Sequence, residues 1–162
     1  MGLPLAIRAP LATVIPLTVA GFVPWLLLDQ TLPRGVTPWR LVFLLPMAAG
    51  LLLGLWSVVL FAVTGRGTLA PVDPPDIFVA RGPYRVTRNP MYVGVVLWLV
   101  GLAALSGGRM LAWYAFAVLA WLHLFVVLVE EPGLRRRFGG SYESYARNVP
   151  RWLGRRRGTF VS

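Results

Sequence analysis

"RMLAWYAFAVLAWLHLFVVLVEE", residues 109–131, decides the fold. Between Met110 and Val129 the only acid, arginine or histidine is His123. A helix rises about 1.5 Å per residue, so about 20 such residues cross the hydrocarbon core of a bilayer, about 30 Å thick. The run shows no alternation of polar and apolar residues. A helix is therefore the way to satisfy its backbone within lipid.

The rest of the chain repeats the pattern. Apolar runs at 9–28 and 39–63 are long enough to span, and a shorter one covers 91–105. Apolar residues make up 57% of the 162 and charged residues only 14%, well short of the usual quarter in soluble proteins. The expected fold is an all-α integral membrane protein. It has about four transmembrane helices, at 9–28, 39–63, 91–105 and 109–129, in a single membrane domain over 1–162. The run after Ala9 is too long for a signal peptide and lacks a cleavage site, so it is expected as a retained first span. Spans three and four are predicted to form a hairpin turning at Ser106–Arg109.

The net charge of +10 does not point to nucleic acid, because the arginines sit at the ends of apolar runs. With four spans, thirteen of the sixteen arginines share one side, and only Arg34, Arg40 and Arg109 lie opposite. The positive-inside rule places the rich side, with both termini and the loop over 64–90, in the cytoplasm. Cysteine is absent and histidine occurs once. No disulfide, thiolate nucleophile or metal centre is expected. Gly50 and Gly54 form a GxxxG pair, which packs a neighbouring helix of the same chain or a second copy in a homodimer.

The loop "GRGTLAPVDPPDIFVARGPYRVTRNP", residues 65–90, is too rich in proline and glycine for a long helix. It is also too long for a plain connection, so it reads as a structured wall of a site. After the fourth span, Leu134, Phe138, Tyr142, Tyr145 and Val149 recur at helical spacing. They predict a C-terminal amphipathic interfacial helix over 132–148, weakened or bent at Gly139 and Gly140, followed by a basic tail suited to anionic lipid headgroups.

Glu130 and Glu131 close the fourth span, where a carboxylate gains nothing from the helix dipole. Either they mark the membrane border, with Pro132 opening the next helix, or one of them faces a cationic ligand. His123 lies within the span, where ionisable groups are functional candidates. It is either a neutral imidazole bonded across a helix interface or a polar group lining a pocket near Glu130. On an unbroken α-helix, seven residues place His123 and Glu130 on one face, about 10 Å apart. Trp98, Trp113, Trp121 and Trp152 read as an interfacial aromatic belt, whereas Tyr84 and Tyr92 are held beside proline turns.

Two segments, "GPYRVTRNPMYVG" at 82–94 and "EEPGLRRRFGGSYESYARNVPRW" at 130–152, together resemble the isoprenylcysteine carboxyl methyltransferase and phospholipid methyltransferase superfamily. Arg88, Pro90, Tyr92 and Gly94 match its first motif. Glu130, Glu131, Leu134, Phe138, Gly139, Tyr142, Tyr145, Val149 and Pro150 match its second. The resemblance spans residues 64–152. It implies an integral membrane enzyme that moves the methyl group of S-adenosylmethionine to an N, O or S atom of a lipophilic acceptor. By the same resemblance the cofactor lies among Asp76, Ile77, Phe78, Val79, Tyr84, Arg88, Asn89, Pro90, Met91, Tyr92, Glu130 and Glu131. Glu130 contacts its polar end and is a catalytic candidate. His123, from its own place in the span and not from the resemblance, is the candidate general base. The family's usual histidine is Asn89 here, and an arginine expected four residues before the first glutamate is Val126. The rival reading is a non-catalytic transporter subunit or scaffold, which explains the spans but not the proline-pinned aromatics facing an acidic pair.

Overall fold

A computed structural model of the chain describes residues 17–29, 37–64 and 81–154. Among these residues every regular element is helical and no strand occurs. The helices are α1 (Val23–Asp29), α2 (Leu44–Thr64), α3 (Pro90–Ser106), α4 (Arg109–Phe125), α5 (Glu131–Phe138) and α6 (Gly140–Asn148). A 3-10 turn, Pro38–Phe43, leads into α2, and a π-turn, Val126–Glu130, joins α4 to α5. Two continuous helical stretches, Pro38–Leu60 and Arg109–Phe138, are long and apolar enough to cross a membrane. Their large side chains face outward. Leu45, Leu52, Trp113 and Trp121 are each about two-thirds exposed or more. An apolar exterior of that extent suits lipid rather than water.

Glycine sets how closely the helices approach. A Cβ on Gly50 would lie 2.5 Å from the Gly94 carbonyl oxygen, and one on Gly94 would lie 2.6 Å from that of Gly50. The backbones of α2 and α3 therefore touch, with Met47 lying over Gly101, about two turns further along α3. Gly50 of the GxxxG pair thus packs against α3 within the chain, whereas a Cβ on Gly54 would meet nothing within 4 Å.

Proline breaks are repaired by side chains. In the π-turn Thr18–Phe22 the Val23 N–H reaches back to the Thr18 carbonyl. Pro24 has no N–H to offer the carbonyls of Val19 or Ala20. Tyr114 donates its hydroxyl to the Val19 oxygen at 2.8 Å, and Trp98 donates its indole N–H to the Ala20 oxygen at 2.8 Å. Those two bonds fasten the first helix to α3 and α4.

The hairpin turns where the sequence predicts. Gly107, with φ +70°, caps α3, and its N–H bonds the Ala103 oxygen. Arg40 lies against Gly107 and donates to the Ser106 carbonyl at 3.2 Å, a cation at a helix C-terminus.

The C-terminal region departs from expectation. Residues 132–138 continue the long helix through the π-turn instead of starting a new one. The break falls at Gly139, whose φ of +52° favours glycine. Tyr142, Tyr145 and Val149 are buried together, with Leu134, Phe138 and Ala146 around them. The apolar face predicted for an interfacial helix is spent inside the protein. Tyr145 donates to the Tyr84 carbonyl at 2.7 Å, and burial pushes its hydroxyl pKa well above the ordinary value, keeping it a donor.

Gly50→Ala is expected to destabilise the fold by about 1–3 kcal/mol, since its methyl has nowhere to go. Gly54→Ala, whose Cβ meets nothing within 4 Å, is expected to cost less than about 0.5 kcal/mol. Unfolding midpoints in detergent compare the two.

Candidate active site

The hairpin brings the start of α3 against the end of α4. Pro90 opens α3 at a position that needs no N–H, and Asn89 precedes it in a non-helical conformation. Tyr92, in the first turn of α3, donates its hydroxyl to the Glu130 carboxylate at 3.1 Å. Tyr84 is buried beside them in the 3-10 turn Gly82–Arg85. Its hydroxyl pKa is pushed up chiefly by burial and also by the nearby Glu130 charge. Ser57, wholly buried on α2, lies at the Tyr84 hydroxyl and donates to the Leu53 carbonyl at 2.7 Å.

The two adjacent glutamates have opposite surroundings. Glu131 is buried and held by arginines. Arg88 reaches it at 2.9 Å, and Arg151 binds both its oxygens through Nε at 2.6 Å and Nη2 at 3.0 Å. Arg135, one turn on, stands at 3.8 Å. This fork is the strong, directional form of a charge-assisted pair. It also raises the Arg151 pKa. Glu130 has no arginine partner among the described residues; its hydrogen bond comes from Tyr92.

Asn89 and its neighbours grip the same C-terminal segment. The Asn89 side-chain amide donates to the Arg151 carbonyl at 2.9 Å, and the Thr87 hydroxyl donates to that same oxygen at 3.1 Å. The Arg88 N–H donates to the Pro150 carbonyl at 2.9 Å. Segment 150–151 is thus sewn to the turn before α3.

The structure brings together Tyr84, Tyr92 and Glu130. Pro90 is buried beneath them and Met91 is half-buried. Arg88, Asn89 and Glu131 make the clamp that holds Arg151. Asp76, Ile77, Phe78 and Val79 lie outside the described residues. His123 does not share a partner with Glu130. The π-turn holds one residue more than an α-turn and shifts the register by about 100° between them. His123 instead accepts the Trp152 indole N–H on Nδ1 at 3.0 Å, with the two rings stacked.

Sequence reading missed Ser57, Thr87, Arg151 and Trp152. A lone serine in an apolar span was a usable signal for Ser57. Nothing local marks Arg151 or Trp152, whose chemistry alone suits a basic tail and an aromatic belt. A cavity of about 440 Å³ between α3 and α4, lined by Ala103, Gly108, Ala112 and Phe116 among others, sits at the hairpin turn, away from this cluster. Among the described residues no three His, Cys, Asp or Glu side chains gather as metal ligands.

The phospholipid methyltransferase family matches residues 45–141, more than half of the chain. The chain is 36% identical over 74 residues to protein-S-isoprenylcysteine O-methyltransferase B of Arabidopsis thaliana, covering 44% of this chain and 36% of that protein. It is 33% identical over 75 residues to protein-S-isoprenylcysteine O-methyltransferase of Schizosaccharomyces pombe, covering 46% and 31%. It is 35% identical over 72 residues to a probable protein-S-isoprenylcysteine O-methyltransferase of Oryza sativa subsp. indica, covering 44% and 37%. The chain thus spans about a third of the length of these relatives. No solved structure matches it.

Glu131→Gln is expected to destabilise the protein by about 3 kcal/mol, because it leaves two arginines without their carboxylate. Glu130→Gln is expected to change stability by less than about 1 kcal/mol. Thermal unfolding in detergent, followed by tryptophan fluorescence, measures both.

Proposed function

The chain belongs to the phospholipid methyltransferase family, and from that membership we propose that it is an integral membrane methyltransferase that uses S-adenosylmethionine. Its acceptor is a lipophilic molecule methylated on N, O or S. The observation that carries the proposal is Glu130. In a chain with sixteen arginines, its carboxylate has no cation among the described residues, while its neighbour Glu131 is held by several. A partly buried carboxylate of this kind calls for a positive ligand.

The residues fit this cofactor. Glu130 offers a carboxylate to its ammonium or sulfonium charge. Tyr92 fixes the orientation of that carboxylate, and the rings of Tyr84 and Tyr92 offer faces for a cation or an adenine. The turn Asn89–Met91 and the stretch Asp76–Val79 complete the proposed walls, with Asn89 and Arg88 acting through the segment they hold. When bound, S-adenosylmethionine supplies an activated methyl group on a sulfonium. The protein's share is alignment of donor and acceptor, which contributes about 7–11 kcal/mol in favourable cases.

The proposed topology has four spans with both termini cytoplasmic. Its first span ends with α1, its second is α2, and α3 and the α4 stretch form the hairpin. The arginine bias supports this orientation. It places Tyr92 and Glu130 at the cytoplasmic face, within reach of a water-soluble donor, while the acceptor arrives from the bilayer. The exposed Arg136 and Arg147 on α5 and α6 face the same side and suit anionic headgroups. The relatives' names make an isoprenylated cysteine the first acceptor to try, and the family's name makes a phospholipid the second. A transporter subunit or scaffold gains no support from family membership.

Calorimetry on the purified protein is expected to show S-adenosylhomocysteine binding. Glu130→Gln and Tyr92→Phe are each expected to weaken it about tenfold, the worth of one hydrogen bond to a charged group. No binding across several detergents and lipids would sink the cofactor assignment.

A further inference from the structure

His123 stands on the long α4 stretch among exposed apolar neighbours, with Trp121, Leu124 and Leu128 all outward. Its Nδ1 accepts a hydrogen bond from Trp152. An indole N–H only donates, so Nδ1 carries no proton. In the neutral imidazole the proton therefore sits on Nε2. Nε2 has no hydrogen-bond partner among the described residues.

The contact is held from several sides. Trp152 follows Arg151, whose side chain forks Glu131 and whose carbonyl takes bonds from Thr87 and Asn89. Four hydrogen bonds one residue away thus set where the indole lies. The clamp on Glu131 fixes the tautomer of a histidine two helical turns distant.

The geometry points to His123 as a hydrogen-bond donor to an oxygen of the lipid acceptor, with Trp152 as its positioning residue, and not to His123 as the general base. A base must offer a free nitrogen, and here one nitrogen is engaged and the other protonated. An N–H on an apolar, lipid-facing surface needs an acceptor, because the bilayer core holds no water to satisfy it. A carboxylate, carbonyl or phosphate oxygen at the polar end of a lipid supplies one. Seven residues of the same helical stretch separate His123 from Glu130, so an oxygen held at Nε2 lies within about 10 Å, along the helix axis, of the proposed methyl-donor site. This inference rests on the methyltransferase reading for its ligand, but the tautomer does not.

The single histidine makes the test direct. With [15N]histidine the protein gives one imidazole. At a pH where the ring is neutral, nitrogen NMR is expected to show a protonated Nε2 and a bare Nδ1. Trp152→Phe is expected to mix the two tautomers. A protonated Nδ1, or a spectrum unchanged by Trp152→Phe, would overturn the positioning role. Titration with N-acetyl-S-farnesylcysteine or lysophosphatidylethanolamine in maltoside micelles is expected to shift the Nε2–H signal. The probe that shifts it tells carboxylate from phosphate, and silence with both overturns the donor role. In methylation assays with the probe that binds, His123→Ala is expected to raise acceptor KM about tenfold with little change in kcat. His123→Gln, which can donate but cannot act as a base, is expected to restore KM to within about threefold of the parent. Lost turnover in His123→Gln would restore the base and end the donor assignment. Normal S-adenosylhomocysteine binding in these variants separates either failure from failure of the cofactor reading.

Discussion

One buried carboxylate organises the polar end of this protein. Glu131 lies at the junction of the long helix and α5, and it draws in Arg88 from the turn before α3 and Arg151 from beyond α6. Burying a charge is costly unless it is paired and its lone pairs are filled. The two arginines meet that condition together, so neither segment moves without exposing an unpaired charge. The turn before α3 carries Asn89 and Pro90, and the segment after α6 carries Trp152. The clamp thereby positions residues on both flanks of the Tyr92–Glu130 pair.

Two neighbouring glutamates do different work, since successive side chains on a helix point about 100° apart. Glu131 meets arginines and Glu130 meets a tyrosine. A saturated carboxylate is structural, and one answered only by a neutral hydroxyl is available to a ligand. The extra residue in the π-turn separates His123 from Glu130. π-turns of this kind recur at functional sites, where they re-aim side chains that an unbroken helix would align.

Away from that end, the constraint is the absence of water. Small residues let α2 and α3 bring their backbones into contact, and the breaks at Pro24 are closed by Trp98 and Tyr114. Those two side chains would read as belt residues from their chemistry alone. In the fold they are fasteners, since a carbonyl freed by proline must find a donor inside the protein.

The sequence by itself determined the all-helical, apolar character of the chain, the hairpin turn within Ser106–Arg109 and the close helix packing at Gly50. These follow from local rules of helix length, φ preference and side-chain size. It also marked Tyr84, Tyr92 and Glu130, because proline turns and an acidic pair at a span's end are unusual enough to read. Asn89, Arg88 and Glu131 were legible as motif residues, but their role as a clamp was not. Over 132–148, helical spacing reveals an apolar face without saying what covers it. Only the tertiary structure decided that Glu131 and not Glu130 takes the arginines, and that Trp152 caps His123. Each depends on residues far apart in the chain. Both are set by the competition among buried polar groups for partners, which no local pattern records.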